Sequence, residues 1–139
     1  MSGGTADIFP EVTLNRGEVY ETASTMSDPR LDGETVAYFN ADNYKSPETR
    51  SSVGRGTWRI ENSDGAWQGS YTVIGLPSDG SVETLATTVT LAGEGEYEGL
   101  SALWEAQFDS RACSWSVRGL IVEGELPPAP DVNAGAIAS

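Results

Sequence analysis

Between Leu100 and Phe108 every second residue is apolar: Leu100, Ala102, Trp104, Ala106 and Phe108. That is the period of a β-strand with one buried face, and it rules out a helix over the same residues. The run leading into it carries Gly93, Gly95 and Gly99 around a lone aromatic, Tyr97. A phosphate cradle is excluded there. Glu94, Glu96 and Glu98 alternate with the glycines, no helical pattern follows, and the next cation is Arg111. Glycines in strand-like sequence mark a bulge, a sharp coil or a close backbone approach, the devices that bend a sheet into a barrel.

The rest of the chain repeats the strand pattern. Alternation over residues 17–25 puts Val19 and Glu21 on one face and Tyr20 and Thr22 on the other. Further strands are expected over residues 34–41, 53–61, 66–76, 81–92 and 112–123. Turn-forming residues separate them: 27–33, a polar loop over 42–52 containing Pro47, Asn62-Ser63-Asp64-Gly65, Pro77-Ser78-Asp79-Gly80, and Asp109-Ser110-Arg111. The Asp64-Gly65 pair suits the positive φ of a hairpin turn. No segment has a helical repeat with caps. The expected fold is all-β: an antiparallel up-and-down barrel of about eight strands with short or no helices, seven strands being read directly and an eighth expected near one end. A two-sheet sandwich is the alternative. Residues 1–16 read as a flexible N-terminal arm, 17–126 as a single barrel domain, and 127–139 as a Pro-rich end and mobile tail.

Gly93-x-Gly95-x-Tyr97-x-Gly99 followed by the alternating strand resembles the signature of the allene oxide cyclase and dirigent-like barrels. Gly56-Thr57-Trp58-Arg59-Ile60-Glu61, followed by a turn and a long strand, is similar to the small bacterial polyketide cyclases on that barrel, including those that form spirotetronates by a Diels–Alder reaction. The resemblance spans roughly residues 34–123. It implies the barrel, a lid near residues 27–33, homodimers or homotrimers, and cofactor-free cyclisation of a polyketide-type polyene.

Charge and residue type exclude several activities. The net charge is −13, from 21 acidic and 8 basic residues, which argues against nucleic acid and anionic membrane as partners. There is no histidine, hence no Ser-His-Asp triad, no Cys-His pair and no His-ligated metal. The single cysteine, Cys113, excludes an intrachain disulfide and a cysteine zinc site, and reads as a small buried hydrophobe. No cofactor and no metal are expected. No run of residues is long and apolar enough for a membrane helix. The opening residues lack the pattern of a signal peptide, so a cytoplasmic location is expected, or a secreted one if a leader has been removed.

Trp58, Trp67, Trp104 and Trp115 all fall on the apolar side of their strands, with Tyr71, Phe108 and Phe39 beside them. In a barrel that side faces inward. These seven residues and Thr87 are the candidate lumen for an apolar or conjugated ligand. Small residues among the rings, such as Gly69, Ala102, Ala106 and Gly119, leave room either for interlocking or for a slot. Arg59 and Arg118 fall on the opposite faces, as surface charges beside Glu61 or Glu123. Glu21 is a candidate acid at the mouth. No catalytic residue is assigned. Three readings stand: a small-molecule-binding barrel, a cofactor-free cyclase working by proximity and orientation, and a structural oligomerising barrel with a packed core.

Overall fold

A computed structural model describes residues 4–45, 50–76, 84–109 and 112–125. The chain forms one sheet of eight antiparallel strands in sequence order, a meander in which each strand pairs with the next. The strands are β1 (Thr5–Ile8), β2 (Val12–Ser24), β3 (Gly33–Lys45), β4 (Arg50–Glu61), β5 (Gly65–Leu76), β6 (Thr84–Gly95), β7 (Leu100–Asp109) and β8 (Ser114–Glu123). The helical content among these residues is a 3-10 turn at Pro29–Leu31, between β2 and β3. Among the described residues no ladder joins β8 to β1 or β2, so the sheet is antiparallel and up-and-down but not a closed barrel.

The strand expected near one end is β1. It pairs with the first part of β2, Thr5 opposite Arg16 through Ile8 opposite Thr13. Residues 5–8 and 12–16 are thus strand rather than a loose arm. Their side chains are exposed or half-buried, so the ladder orders them without an apolar stripe to announce it. The expected tail, residues 127–139, lies outside the described residues, as do Pro47, Pro77-Ser78-Asp79-Gly80 and Ser110-Arg111. The polar loop expected over 42–52 is largely paired backbone: β3 and β4 run on from Asp42 opposite Val53 to Lys45 opposite Arg50. Cross-strand hydrogen bonds extend there beyond the apolar interior, where composition gives no sign of them.

One irregularity sets the phase of β2. Asn15 faces Ala41 but Glu18 faces Phe39, so β2 carries an extra residue. Gly17 takes the left-handed conformation at the bulge (φ 66°), and its N–H donates to the Asn40 side chain at 2.8 Å. The bulge puts Asn15, Glu18, Tyr20 and Thr22 on one face of β2. Without it, Asn15 and Glu18 would point to opposite sides.

The interior is packed at one end. Ile60, Trp67 and Leu91 have no exposed surface, and Leu31, Val89, Tyr97 and Ala102 pack with them. The glycine run shapes this end. Gly95 (φ 70°) and Gly99 (φ 85°) are left-handed, and together they fold the β6–β7 connection so that Tyr97 tucks back into the core. A Cβ on Gly93 would meet the Tyr97 carbonyl. The run therefore makes a tight turn with a close backbone approach, rather than a bend within a strand. Tyr97 stacks on Trp67 with ring centroids 5.0 Å apart and planes 18° from parallel. Trp67 Nε1 donates to the Arg30 carbonyl at 2.9 Å, and Asn62 Nδ2 donates to the Arg30 and Asp32 carbonyls, which ties the 3-10 turn down over this end. The Asn62 carboxamide oxygen also accepts from Asp64 N, Gly65 N and the Tyr97 hydroxyl. That one side chain holds the β4–β5 turn. Neither Asp64 nor Gly65 adopts the positive φ expected of an Asp-Gly hairpin.

β8 departs most from expectation. Trp115 and Val117 take the inner side in register with Phe108 and Ala106, yet they are 53% and 46% exposed. A last strand, with a ladder along one edge, has neighbours to cover it on one side alone. Cys113 precedes β8 in a turn (φ 50°) and is exposed, not buried. It is outside the strand, so alternation does not govern it.

The difference between the two ends is measurable by urea unfolding. Trp67→Ala is expected to cost about 3–5 kcal/mol, as for a large buried ring that leaves a cavity. Trp115→Ala is expected to cost about 1 kcal/mol or less, because its ring is half in solvent already.

Candidate functional site

Away from the packed end the same face of the sheet lines a half-open cavity of about 920 Å³. Its walls come from β2 through β8, so the sheet coils far enough for both flanks to face one space. The aromatic wall is built from Tyr20, Phe39, Trp58, Tyr71, Trp104 and Trp115. Ala37, Gly54 and Ala106 supply the small residues that leave room between the rings. Asn15, Asn43 and Ser52 give a polar rim toward the β3–β4 hairpin, and Thr22 to Met26 border it where β2 ends.

The ring geometry follows from register. Trp58 on β4 faces Ala37 on β3 and Gly69 on β5, neither of which fills the space over the indole. Tyr71 and Trp104 lie at right angles to it, with centroids at 5.4 and 6.1 Å and interplanar angles of 89° in both cases. Such edge-to-face contacts hold rings firmly while leaving ring faces free. Tyr20 stacks on Phe39 at 4.9 Å across the β2–β3 ladder.

Of the eight residues expected in a lumen, Phe39, Trp58, Tyr71, Thr87, Trp104 and Trp115 line this cavity. Trp67 does not, being fully buried in the packed end. Phe108 does not either; it lies behind Trp115 with ring centroids 5.1 Å apart. Tyr20 and Glu18 were not legible as lining residues, because the bulge that turns them inward has Gly17 as its sole mark. Glu18, rather than Glu21, shares the inner face with Tyr20; Glu21 borders the cavity from the other face of β2. Arg59 is on the outer face, ion-paired to Glu61 at 2.7 Å and Glu94 at 3.0 Å, and Arg118 faces Glu105 at 3.4 Å.

The polar groups among the cavity's rings are Thr87 and the Tyr20 and Tyr71 phenols. The Thr87 hydroxyl donates to the Thr72 carbonyl at 2.7 Å, so its proton is already committed. Burial pushes the Tyr71 phenol up to about 12, and the nearby Tyr20 phenol and Glu18 carboxylate add to the effect. The Tyr20 phenol is raised in the same way, by burial and then by Glu18. Both phenols therefore keep their protons at neutral pH and act as neutral donors, not as bases. Among the described residues no group of three or more His, Cys, Asp or Glu is placed to hold a metal ion, and no helix is long and apolar enough to cross a membrane.

The raised Tyr71 value fixes a sign for pH dependence. The folded protein holds this proton at pH values where the unfolded chain, near 10.0, releases it. Stability is then level below about 10 and falls as pH rises toward 12. Urea midpoints across that interval should fall less for Tyr71→Phe than for the parent protein. No protein-family model, no curated protein and no solved structure matches this chain.

Proposed function

We propose that the protein binds an apolar or conjugated small molecule in the aromatic-walled cavity. The observation that carries this reading is the space itself. About 920 Å³ is within the range of small-molecule sites, and it is walled chiefly by ring faces and small apolar side chains. A structural barrel with a fully packed core, the reading that would make the aromatics mere filling, does not account for it. The architecture that suits the reading is an up-and-down barrel, with β8 returning toward β1 and β2. Support for it comes from the shared cavity, lined at once by Asn15 and Tyr20 of β2 and by Trp115 and Val117 of β8.

A second reading rests on the same size. A volume well above that of a few fused rings would admit a flexible polyene folded on itself. Cofactor-free cyclisation would then gain its rate from proximity and orientation. The likeness of residues 56–61 to the polyketide cyclases, and of residues 93–99 to the allene oxide cyclase and dirigent-like barrels, supports this. A homodimer or homotrimer and a cytoplasmic location belong to this proposal. Val53 and Ile74, opposed across β4 and β5 on the outer face and about half exposed, are apolar area that an oligomer would cover.

The test is tryptophan emission during titration with diphenylhexatriene and other polyenes of increasing length. A saturable change is expected, because Trp58 and Trp104 are in the wall. Trp104→Ala should weaken binding about tenfold and also lower stability, since the ring is buried and holds Trp58 edge-on. The absence of any response across apolar probes would contradict ligand binding.

A further inference from the structure

Among the described residues that line the cavity none is a lysine or arginine, and the carboxylate on its inner face is Glu18. Glu18 is half-buried and enters no ion pair among the described residues. The cation closest to it in sequence, Arg16, is committed to Asp42 at 2.7 Å and to the Asn15 and Ala41 carbonyls. An aromatic cavity therefore holds a negative charge that the protein itself does not balance.

Register puts that charge at one end of a row of rings. Glu18 stands opposite Phe39, Phe39 opposite Gly56 and Gly56 opposite Tyr71, and the row runs on through Val89 to Trp104. Gly56 puts no side chain between Phe39 and Tyr71. Burial raises the Tyr20 and Tyr71 phenols, and the Glu18 charge adds to both, so its field reaches a ring three strands away.

This placement bears on what can fill the space. A neutral apolar body would strip water from the Glu18 carboxylate and leave it unpaired, which is costly. An anion would be repelled by Glu18, by Glu21 at the border and by the overall charge of −13. A cation offsets the lost hydration of Glu18 and is attracted to the faces of Trp58, Tyr71 and Trp104. A compact ammonium holds its own water strongly, whereas a charge spread over a flat ring system gives up little on entering an apolar site.

We propose that the cavity selects conjugated ligands that carry a delocalised positive charge, with Glu18 as the counter-ion and the flat cationic frame against Tyr71 and Trp104. The assignment rests on the ligand-binding reading above and adds to it the charge of the ligand.

N-methylacridinium and methylanthracene test it. With the methyl group at the same place on the same three-ring frame, they differ by one positive charge. Equilibrium dialysis against the intact protein should show both bound, with the cation about tenfold tighter, and diphenylhexatriene should displace both. The readout is the ratio of the two affinities within each protein, so a general loss of binding does not imitate the effect. Glu18→Gln should remove most of the preference. Glu98→Gln makes the same change of charge on the exposed β6–β7 turn, at the packed end, and should keep it. The comparison in the parent protein needs no variant, so it stands even where Glu18→Gln does not fold. Equal affinities, a tighter methylanthracene, or the same loss of preference in both variants would overturn the assignment and leave the cavity as a binding site. A cation that diphenylhexatriene does not displace is held by the acidic surface, which would overturn it too. Failure of both probes to bind would remove the ligand-binding reading itself.

Discussion

The stack of Trp67 on Tyr97 decides how much of the interior is filled. Both rings are buried, and each is held by a hydrogen bond at its polar edge, to the Arg30 carbonyl and to Asn62. Asn62 in turn holds the β4–β5 turn and the 3-10 segment. One end of the coiled sheet is thereby closed with apolar bulk, and the polar atoms of its two stacked rings are matched. Beyond it the strands continue, but the inner positions change character. Gly54, Ala37 and Ala106 replace large aliphatics, and the remaining rings stand edge to face instead of interlocking. A filled floor supplies stability, which frees the other end to stay open.

Much of the fold could be read from the residues. The alternation of Leu100 to Phe108 is β7, with Ala102, Trp104 and Ala106 buried as period two requires. Strands β3 to β8 are centred where alternation and turn residues put them, although β3 and β4 run on into the expected 42–52 loop, and the order of pairing is sequential. What could not be read depends on distant partners. The ladder between β1 and β2 binds polar, exposed residues that alternation ignores. The exposure of Trp115 follows from its place on the last strand, not from its neighbours in sequence. Trp67 and Trp104 share the same local pattern, and only three-dimensional packing separates the filled end from the open one.

The candidate site was legible to the same degree. Six wall residues, from Phe39 to Trp115, followed from side-chain parity. Glu18 and Tyr20 did not, because the inserted residue at Gly17 resets the parity of β2. Thr87 lines the cavity as expected of a lumen residue, but a carbonyl on the neighbouring strand β5 takes its hydroxyl proton. The cavity that results is mostly apolar, with the protonated phenols of Tyr20 and Tyr71 in its wall and Glu18 and Glu21 on its β2 side. It is suited to a largely apolar molecule, and to a cation more than to an anion.

The most direct measurement is the indole N–H spectrum of the isotopically labelled protein during titration with diphenylhexatriene, with the four tryptophan resonances assigned by substitution. The account predicts that Trp58 and Trp104 move in a saturable way while Trp67, sealed against Tyr97, stays where it is. If no indole moves, or if Trp67 moves as far as Trp58, the division into a filled end and an open end is wrong.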